Sequence, residues 1–484
     1  MSQQGLESTG DGVAAEAEWE TVIGLEVHAE LATQTKLFSA SPNRFGGEPN
    51  THIDPVSLGL PGALPVLNQK AVELAIRVGL ALNCTVQPSV FARKNYFYPD
   101  MPKNFQTSQY DRPINTDGWL ELASGKRVGI ERAHLEEDTG KTTHIGGGGR
   151  IHEAGYSLVD YNRAGVPLIE IVGRPELRSA EEARQYVSEL RGILVAVGAS
   201  DGKMEEGSLR VDCNVSVRPV GSEALGTRCE IKNVNSLRSM ARAITYEANR
   251  QIKLLSNGEP VVQQTRHWDE SDGRTHALRS KEEDYDYRYF PEPDLLPLEP
   301  SLDWVEQIRQ ALPPLPRDRR SKIAELLPSA NAASVAVVVE RGMDTLVTDA
   351  IGAGGVAQRV HNHVVHNLAD GVGCLLADAL AELTQMEEAK ELTSTQAKKV
   401  LEALVAEGGA PRQLATGMGF EAMAVEQLEA LLDELLATYP AEWQRFCDGD
   451  AKLTGFFVGQ AMKSTQGKAD GKALTQLLNS RRSS

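Results

Sequence analysis

Strict alternation of apolar and charged residues in one short segment constrains the fold more than any other feature of the sequence. In residues 21–31, TVIGLEVHAEL, the odd positions from 23 are apolar and the even positions include Glu26, His28 and Glu30. Successive side chains of a β-strand point to opposite faces, so a period of two is typical of a strand. The segment therefore predicts a strand with one buried face and one face that carries carboxylates and an imidazole.

Three further segments, residues 130–141, 208–218 and 227–233, repeat this arrangement. A loop that contains Pro and Gly joins the last two, as in a β-hairpin. We therefore expect an antiparallel sheet whose neighbouring strands each have a charged face. The polar side chains concerned are Glu136, Glu137 and Asp138, then Arg210, Asp212 and Asn214, and then Arg228, Glu230 and Lys232.

Charged strand faces have two interpretations. An antiparallel sheet commonly has one face in water, and charged outer faces are then ordinary. Alternatively the faces converge, and the carboxylates then repel one another unless a cation lies between them. Oxygen ligands favour Mg²⁺, whereas the five cysteines include no C-x-x-C pair, which argues against a cysteine zinc site and a disulfide framework.

The sequence lacks the motifs of the common nucleotide-binding and nucleophilic enzymes. It contains neither the P-loop pattern nor a Gly-x-Gly-x-x-Gly after a strand, and it has no Gly-x-Ser-x-Gly nucleophile elbow. Its net charge of −17 argues against a protein that wraps nucleic acid over its whole surface. Any chemistry should be metal-centred and electrostatic, and any nucleic-acid contact should be confined to a local basic patch.

Composition divides the chain near residue 300. A chain of 484 residues is too long for one hydrophobic core, which stops growing at about 250 to 300 residues. Short β-type segments fill the first part, and helical periodicity rich in Ala, Leu, Glu and Lys fills the second. We predict an α+β fold in which a mainly antiparallel sheet domain is followed by an all-α helical domain and a small helical tail module. The predicted bounds are 1–18 for a flexible N-terminal tail, 19–300 for the sheet domain, 301–407 for the helical domain and 408–484 for the tail module.

Two helices are signalled within the sheet domain. Ser179 and Glu182 form a capping-box pattern before an apolar stripe that Gly198 closes, and a second helix opens near Asn235 or Ser236 and runs to Gly258. No apolar run reaches the roughly 18 residues of a membrane span, and the first residues lack the pattern of a signal or transit peptide. The sequence thus favours a cytoplasmic protein.

Longer motifs add a resemblance to a known family. The motifs are VIGLEVHAEL (22–31), LGLPGALPVLN (58–68), RKNYFYPDMPKNFQTSQYD (93–111), HLEEDTGK (134–141), SLVDYNRAGVPLIEIV (157–172), KMEEGSLRVDCNVSVRP (203–219), DYRYFPEPDLLPL (286–298) and FFVGQAMKSTQGKA (456–469). In this order they resemble the B subunits of aspartyl/glutamyl-tRNA(Asn/Gln) amidotransferases. The resemblance implies a catalytic "cradle" domain that uses ATP and Mg²⁺ to phosphorylate the side-chain carboxylate of Glu or Asp esterified to tRNA. It also implies a heterotrimer, in which ammonia from an amidase A subunit displaces the phosphate and a small C subunit ties the two together.

The resemblance also assigns roles to particular residues. It implies metal-site roles for Glu26, His28, Glu137 and Glu230, and a catalytic role for Asp212 beside these four. Glu136 receives a lesser, channel-side role, because its side chain lies on the other face of its strand. Arg210 and Arg228 would bind ATP phosphates or tRNA, or alternatively form salt bridges to Asp212 or Glu230.

The end of the chain supplies the local basic patch. From Ala451 onward six basic residues stand against one acid, Asp470. By the resemblance this tail binds tRNA, with Lys463, Lys468 and Lys472 as phosphate contacts that position the substrate without reading its sequence. The alternative is an ordinary solvated basic helix end.

Two segments depart from the family pattern. Many members carry Cys-Pro-Val-Cys where this chain has Asp54-Pro55-Val56-Ser57, so we expect no zinc there. Residues 330–385 also fit the family's helical domain poorly. The aromatic stretch 95–105, which includes Lys103, is open to two interpretations: a lining for the channel or the partner interface, or a rigid packed loop.

Three hypotheses of function remain open from the sequence. They are the catalytic subunit, a non-catalytic tRNA-binding scaffold of the same complex, and a metal-dependent nuclease that would cleave RNA without ATP. The sequence does not decide between Glu-tRNA and Asp-tRNA as the working substrate.

Overall fold

A computed structural model describes residues 18–146, 154–280, 287–420, 425–450, 452–465, 469 and 471–483. The chain divides into two compact units, Met1–Leu315 and Pro316–Ser484. The first unit is built on a sheet and the second is helical, which confirms the predicted α+β class. Among the described residues, no helix has both the length and the apolar character needed to cross a membrane.

The first unit contains all the strands of the described chain. They are Trp19–Glu30 (β1), Thr85–Val86 (β2), Ala92–Asn95 (β3), Phe105–Ser108 (β4), Asn115–Glu121 (β5), Arg127–Glu137 (β6), Lys141–Ile145 (β7), Tyr156–Asp160 (β8), Pro167–Gly173 (β9), Leu209–Pro219 (β10), Cys229–Lys232 (β11), Gln264–Asp269 (β12), Arg274–Ser280 (β13) and Phe290–Pro291 (β14). Its helices are Gln69–Ala81 (α1), Ala180–Ala196 (α2), Leu237–Ser256 (α3) and Leu302–Gln310 (α4).

One large sheet dominates this unit. Its strand order is β13-β12-β11-β10-β1-β9-β6-β4-β3-β14, with β5 on β6 and β2 on β5, while β7 and β8 form a separate hairpin. The pairing of β11 with β12 is parallel, and the other pairings described for this sheet are antiparallel. The predicted strand at 21–31 is therefore β1 in the middle of the sheet, and the predicted hairpin of 208–218 and 227–233 is confirmed as β10 and β11.

The apolar face of the sheet forms the core. Ile23, Leu25 and Val27 of β1 are almost completely buried, as their odd positions predicted. Helices α1 and α3 pack against the sheet, and α2 packs against α3. Burying these side chains removes apolar surface from water, which is the main force that stabilises the unit.

The two predicted helices begin at their predicted caps. The Ser179 hydroxyl accepts a hydrogen bond from the Glu182 backbone N–H at 3.1 Å, and Ser236 caps α3 in the same way through Ser239. The Glu182 carboxylate accepts a bond from the backbone N–H of Arg178 rather than from Ser179, so the capping box is displaced by one residue. Gly198 and Gly258 adopt positive φ just after the helices, where glycine is favoured.

The boundary between the units lies later in the chain than residue 300. Helix α4 packs against α1, and its Ile308 belongs to the core of the first unit. The Pro-rich segment before α4 is therefore a connection inside the unit. The predicted tail at 1–18 lies outside the described residues except for Glu18.

The second unit is entirely helical in its described residues. Its helices are Pro316–Leu326 (α5), Ala332–Glu340 (α6), Asp344–Gly352 (α7), Ala357–Asn367 (α8), Ala377–Glu388 (α9), Ser394–Glu407 (α10), Pro411–Gly417 (α11), Val425–Thr438 (α12), Pro440–Cys447 (α13), Leu453–Ser464 (α14) and Gly471–Ser483 (α15). One apolar cluster runs from Ile323 to Ala415 and another from Leu428 to Leu478. The change of core thus falls after α11 rather than at the predicted residue 408, and the poorly fitting segment 330–385 lies within the first of these cores.

Candidate active site

The polar face of the large sheet lies opposite the helices. In β1, His28 is directly across from Glu170 of β9 and from Arg210 of β10, and Glu26 is across from Asp212. Directly opposed residues of neighbouring strands place their side chains on the same face. The predicted convergence of acidic strand faces is therefore present for Glu26, His28 and Asp212.

Strand β6 adds two more side chains to this face. His134 is across from Glu170, and Glu136 follows two residues later on the same side. The His28 Nε2 atom lies 3.5 Å from Glu136 Oε1 and 3.6 Å from Glu170 Oε2, and His134 Nε2 lies 3.3 Å from Glu170 Oε2. One donor atom from each of His28, Glu136 and Glu170 lies within 4.8 Å of the others, a group that could hold a metal ion. We call these three residues the His28 cluster.

Burial and like charge perturb the His28 cluster. Burial and the neighbouring Glu170 charge raise the pKa of Glu136. Burial opposes ionisation of Glu170 too, but His134 and His28 outweigh it and hold its pKa well below the usual range. Burial disfavours protonation of His28, yet its hydrogen bond to Glu170 and the nearby carboxylates raise its pKa to about 9. The cluster therefore attracts positive charge, which protons supply at neutral pH.

A second acidic group adjoins the His28 cluster on the same face. The Glu26 Oε1 atom accepts a hydrogen bond from Asn214 at 2.9 Å, and burial with the charges of Glu170, Glu230 and Asp212 raises the pKa of Glu26. Lys232 bridges Asp212 at 2.6 Å and Glu230 at 2.9 Å. Three of the predicted site residues thus converge, and a lysine ammonium lies between two of them.

The two predicted arginines have different environments. Arg210 donates to Asp138 at 2.8 Å, so its ion pair is with neither Asp212 nor Glu230. Asp138 and burial also affect Glu30 beside it, whose pKa burial raises to about 7. Arg228 is exposed and stands two residues before Glu230, just ahead of β11.

Glu137 lies apart from the other predicted ligands. Consecutive strand residues alternate in direction, so Glu137 points away from the face that Glu136 occupies. Its Oε1 atom accepts hydrogen bonds from the Lys103 ammonium and from the backbone N–H of Thr107. The expected grouping of Glu137 with Glu26 and His28 is thus corrected: Glu136 lies in the His28 cluster, and Glu137 pairs with a lysine of the aromatic stretch.

A polar cavity adjoins this second carboxylate. It has a volume of about 180 Å³, and its lining includes Lys103, Thr107 and the ion pair of Arg93 with Glu292. The Lys103 ammonium also lies 4.9 Å from the Phe105 ring centroid. The stretch 95–105 therefore packs as a loop and also presents a charged group to a cavity, so both sequence interpretations hold in part.

A buried lysine lies on the same side as Glu137. The side chain of Lys36 is fully buried, and burial lowers its pKa to about 8. A Cβ atom placed on Gly165, whose φ is +86°, would lie 3.5 Å from Lys36 Cδ and 3.8 Å from Glu137 Oε2. Lys36 and Glu137 therefore flank Gly165, and two lysines surround one carboxylate.

The segment that replaces the family's cysteines is tied by hydrogen bonds. Asp54 Oδ1 accepts from the backbone N–H of Ser57 at 2.7 Å, and the Ser57 hydroxyl donates to the Asp54 carbonyl at 3.1 Å. Burial opposes ionisation of Asp54, but the hydrogen bonds from Ser57 and Ser39 lower its pKa. Oxygen groups thus hold this turn in the positions where thiolates would bind zinc.

Sequence reasoning missed three residues of the polar face. Glu170 is the one charge in the apolar run PLIEIV, and His134 shares the parity of Glu136, so both left a signal in the sequence. Lys94 left none, because only the pairing of β3 with β4 and β4 with β6 brings it to this face. Burial opposes its charge, but Glu136 and other neighbours raise the pKa of Lys94.

The predicted tRNA contacts are described in part. Lys463 is exposed in the last turn of α14. Lys468 lies outside the described residues, and Lys472 lies in α15 with a side chain that is not described. Their role stays a prediction.

Comparison with known proteins identifies the family. Residues 21–306 match the family model described as the GatB/GatE catalytic domain, and residues 367–481 match the GatB domain model of the Yqey type. A protein from Synechococcus elongatus, named as the B subunit of aspartyl/glutamyl-tRNA(Asn/Gln) amidotransferase, is 47% identical over 481 residues, which cover 96% of this chain and 97% of that protein. Proteins of the same name from Kineococcus radiotolerans and Trichodesmium erythraeum are 48% and 44% identical, each over 96% of this chain and over 97% and 98% of their own lengths. The chain therefore belongs to the B-subunit family of the tRNA-dependent aspartyl/glutamyl amidotransferases.

Proposed function

We propose that the polar sheet face activates the side-chain carboxylate of Glu or Asp esterified to tRNA by transfer of the γ-phosphoryl group of ATP. One carboxylate oxygen of the substrate attacks the γ-phosphorus, and ADP leaves. Ammonia then attacks the carbonyl carbon of the acyl phosphate, phosphate leaves with one proton of the ammonia, and the amide remains. A free carboxylate is a poor electrophile, so the phosphate supplies the leaving group.

The observation that carries this proposal is the His28 cluster beside Glu26, Asp212 and Glu230 on one sheet face. Phosphoryl transfer depends on positioning and charge neutralisation more than on covalent help from the protein. Clustered carboxylates that raise each other's pKa would lose that repulsion by binding a divalent cation. The proposal also explains why nucleophile and P-loop motifs are absent from the sequence.

The donor set fits a divalent ion such as Mg²⁺. Glu136 and Glu170 offer oxygen donors within 4.8 Å, and these are the atoms that Mg²⁺ prefers. His28 offers nitrogen, which softer ions accept more readily, so we assign it the role of fixing the Glu170 carboxylate. When bound, the ion would neutralise charge on the transferred phosphoryl group.

Neighbouring cations of the chain would act on the same charge. Lys94 and Lys232 lie on this face, and Arg210 lies across from His28. We propose that Lys94 and Lys232 orient ATP phosphates, and that Arg210 holds Asp138 in place. Arg228 would bind phosphate from its exposed position before β11.

The name of the relatives makes each of them one subunit of an assembly. For this chain we propose a cytoplasmic heterotrimer with an amidase A subunit, which releases ammonia from glutamine, and a small C subunit. Lys463, Lys468 and Lys472 of the tail module would bind tRNA phosphates.

Glu170→Gln in the assembled complex tests the proposal. We expect loss of ATP- and tRNA-dependent amidation of both mischarged substrates, Glu-tRNA and Asp-tRNA, with glutaminase activity and tRNA affinity retained. Glu181→Gln is the matched control, because Glu181 is an exposed helix residue paired with Arg184. Unchanged amidation in Glu170→Gln would favour the scaffold hypothesis, and RNA cleavage without ATP would favour the nuclease.

A further inference from the structure

A row of tyrosine rings runs along one edge of the polar sheet face. Tyr96 is in edge contact with Tyr98 and with Tyr287, at centroid distances of 6.1 Å, and Tyr287 is in edge contact with Tyr289 at 6.1 Å. The row ends in Tyr289 stacked on Tyr110, with centroids 4.0 Å apart and ring planes 9° apart. We call Tyr110 and Tyr289 the tyrosine stack.

The tyrosine stack is joined to the His28 cluster by strand pairing. Ser108, the last residue of β4, is directly across from Glu136, and Tyr110 follows two residues later. Two residues of extended chain span roughly 7 Å. Tyr289 is also close enough to Glu136, Glu170 and Lys94 for their charges to act on its hydroxyl group. The stack therefore borders the place where the phosphoryl transfer would occur.

The outer end of the stack is open to solvent. Tyr110 has 55% of its surface exposed, and Tyr289 is only partly buried. An isolated tyrosine on a surface is ordinary. Two parallel rings in contact, with the outer one exposed, instead present a rigid aromatic face to which a third planar ring can add by stacking.

The charges around the stack indicate what that third ring carries. The Lys94 ammonium lies 4.9 Å from the centroid of Tyr287 and would meet an anionic group attached to a stacked ring. Base stacking on aromatic side chains, with cations alongside for the phosphates, is a common way to hold nucleotides. Both substrates of the proposed reaction contain such a group, because ATP carries adenine and the 3′ end of tRNA is an adenosine.

We propose that the tyrosine stack is a platform for an adenine ring at the edge of the active site, with Tyr110 as the contacting residue. The proposal rests on the proposed function, since that function supplies the two possible sources of the ring. Tyr289 backs the platform and holds the Tyr110 ring parallel to the incoming base.

Tyr110→Ala and Tyr110→Phe in the assembled complex test the platform. Loss of one stacking contact typically weakens nucleotide binding by about 10-fold, so the alanine variant should raise one KM by about that factor with glutaminase activity unchanged. The phenylalanine variant keeps the ring and should stay within about twofold of the unmodified complex. Tyr156→Ala is the matched control, because Tyr156 is 62% exposed on the separate β7–β8 hairpin.

Two arms of the experiment separate the sources of the ring. A higher KM for charged tRNA with an unchanged KM for ATP assigns the platform to the terminal adenosine, and the reverse assigns it to ATP. Unchanged KM values in Tyr110→Ala, or equal losses in the alanine and phenylalanine variants, would overturn the proposal.

Equilibrium binding separates this proposal from the proposed function. Uncharged tRNA ending in CCA and a copy truncated to CC, together with AMP alone, are titrated into the complex with and without Tyr110→Ala. A platform requires the alanine variant to erase the advantage of the CCA end or to weaken AMP, even if the complex fails to phosphorylate its substrate. No effect of the variant on any of these ligands would overturn the platform while leaving the phosphoryl-transfer proposal intact.

Discussion

Glu136 and Glu137 are consecutive residues of one strand, yet they lie in opposite electrostatic environments. Glu136 faces Glu170 and His28, and burial with like charge raises its pKa. Glu137 faces Lys103, with Lys36 on its other side across Gly165. One side of the sheet thus has an excess of negative charge, and the other has a carboxylate already matched by cations.

This difference shows which side is prepared for a ligand. Carboxylates that repel one another gain most from a bound cation, whereas a carboxylate in an ion pair has little to gain. The cation-binding chemistry therefore belongs with Glu136, and Glu137 is suited to hold Lys103 at its cavity.

The largest expected effect separates these two carboxylates directly. Glu136→Gln should lower ATP-dependent amidation by about 100-fold, the typical loss when a group that stabilises transition-state charge is removed. It should also raise the Mg²⁺ concentration needed for half-maximal rate, and Glu137→Gln should leave that concentration unchanged. Mg²⁺ titrations of the assembled complex measure both, and an equal shift in the two variants would contradict the comparison.

A stability experiment examines the Glu137 side. Lys103→Met should lower the free energy of unfolding by about 3 kcal/mol, because it leaves the buried Glu137 charge without a partner. Adding Glu137→Gln to that variant should restore part of the loss, since no charge is then unpaired. Thermal denaturation of the two single variants and the double variant gives the coupling energy, and strictly additive losses would show that the two side chains act independently.

Glu30 tests the excess of negative charge on the polar face. Burial raises its pKa to about 7 from an ordinary value of 4.5, so the folded state holds this proton more tightly than the unfolded state. Its contribution to stability is complete below pH 4.5 and is lost as the pH rises through 7.

Glu30→Gln removes this pH dependence. The variant should gain about 2 kcal/mol over the unmodified chain between pH 4.5 and pH 8, measured as the difference in thermal stability. Glu131→Gln, at an exposed position of β6, is the control and should show no such trend. A constant difference across that pH range would refute the predicted shift.

The smallest effect concerns the turn where many relatives carry cysteines. Asp54→Ala should cost about 1 kcal/mol, because it removes the acceptor for the Ser57 backbone N–H. Asp54→Asn keeps an acceptor oxygen and should cost less. Elemental analysis of the purified chain should find no zinc, and chelators should leave its unfolding temperature unchanged; a bound zinc ion would contradict this prediction.

The faces of the strands could be predicted from the sequence, because side-chain direction has a fixed period of two. That period placed Glu26, His28 and Asp212 on polar faces, and it also separated Glu136 from Glu137. Apolar residues at 133 and 135 put Glu136 on the polar face. The resemblance nevertheless favoured Glu137, and the parity of the strand was the better guide to its position.

The neighbours of each strand could not be predicted in the same way. Pairing between distant strands depends on tertiary packing, and it brings Glu170 beside His28 and Lys94 toward Glu136. The Lys232 bridge likewise depends on where its side chain settles between two carboxylates. The end of the first unit was misplaced because α4 contributes Ile308 to the core beyond the Pro-rich segment.

The alternation of β6 also limits how the gene can change. Inserting or deleting one residue between Arg127 and Glu136 would exchange the directions of the two carboxylates and of every side chain between them. The turn between β7 and β8 bears no such constraint, since no side chain of the active site follows from its length. We therefore expect length variation among relatives to collect in that turn and to be absent from β6.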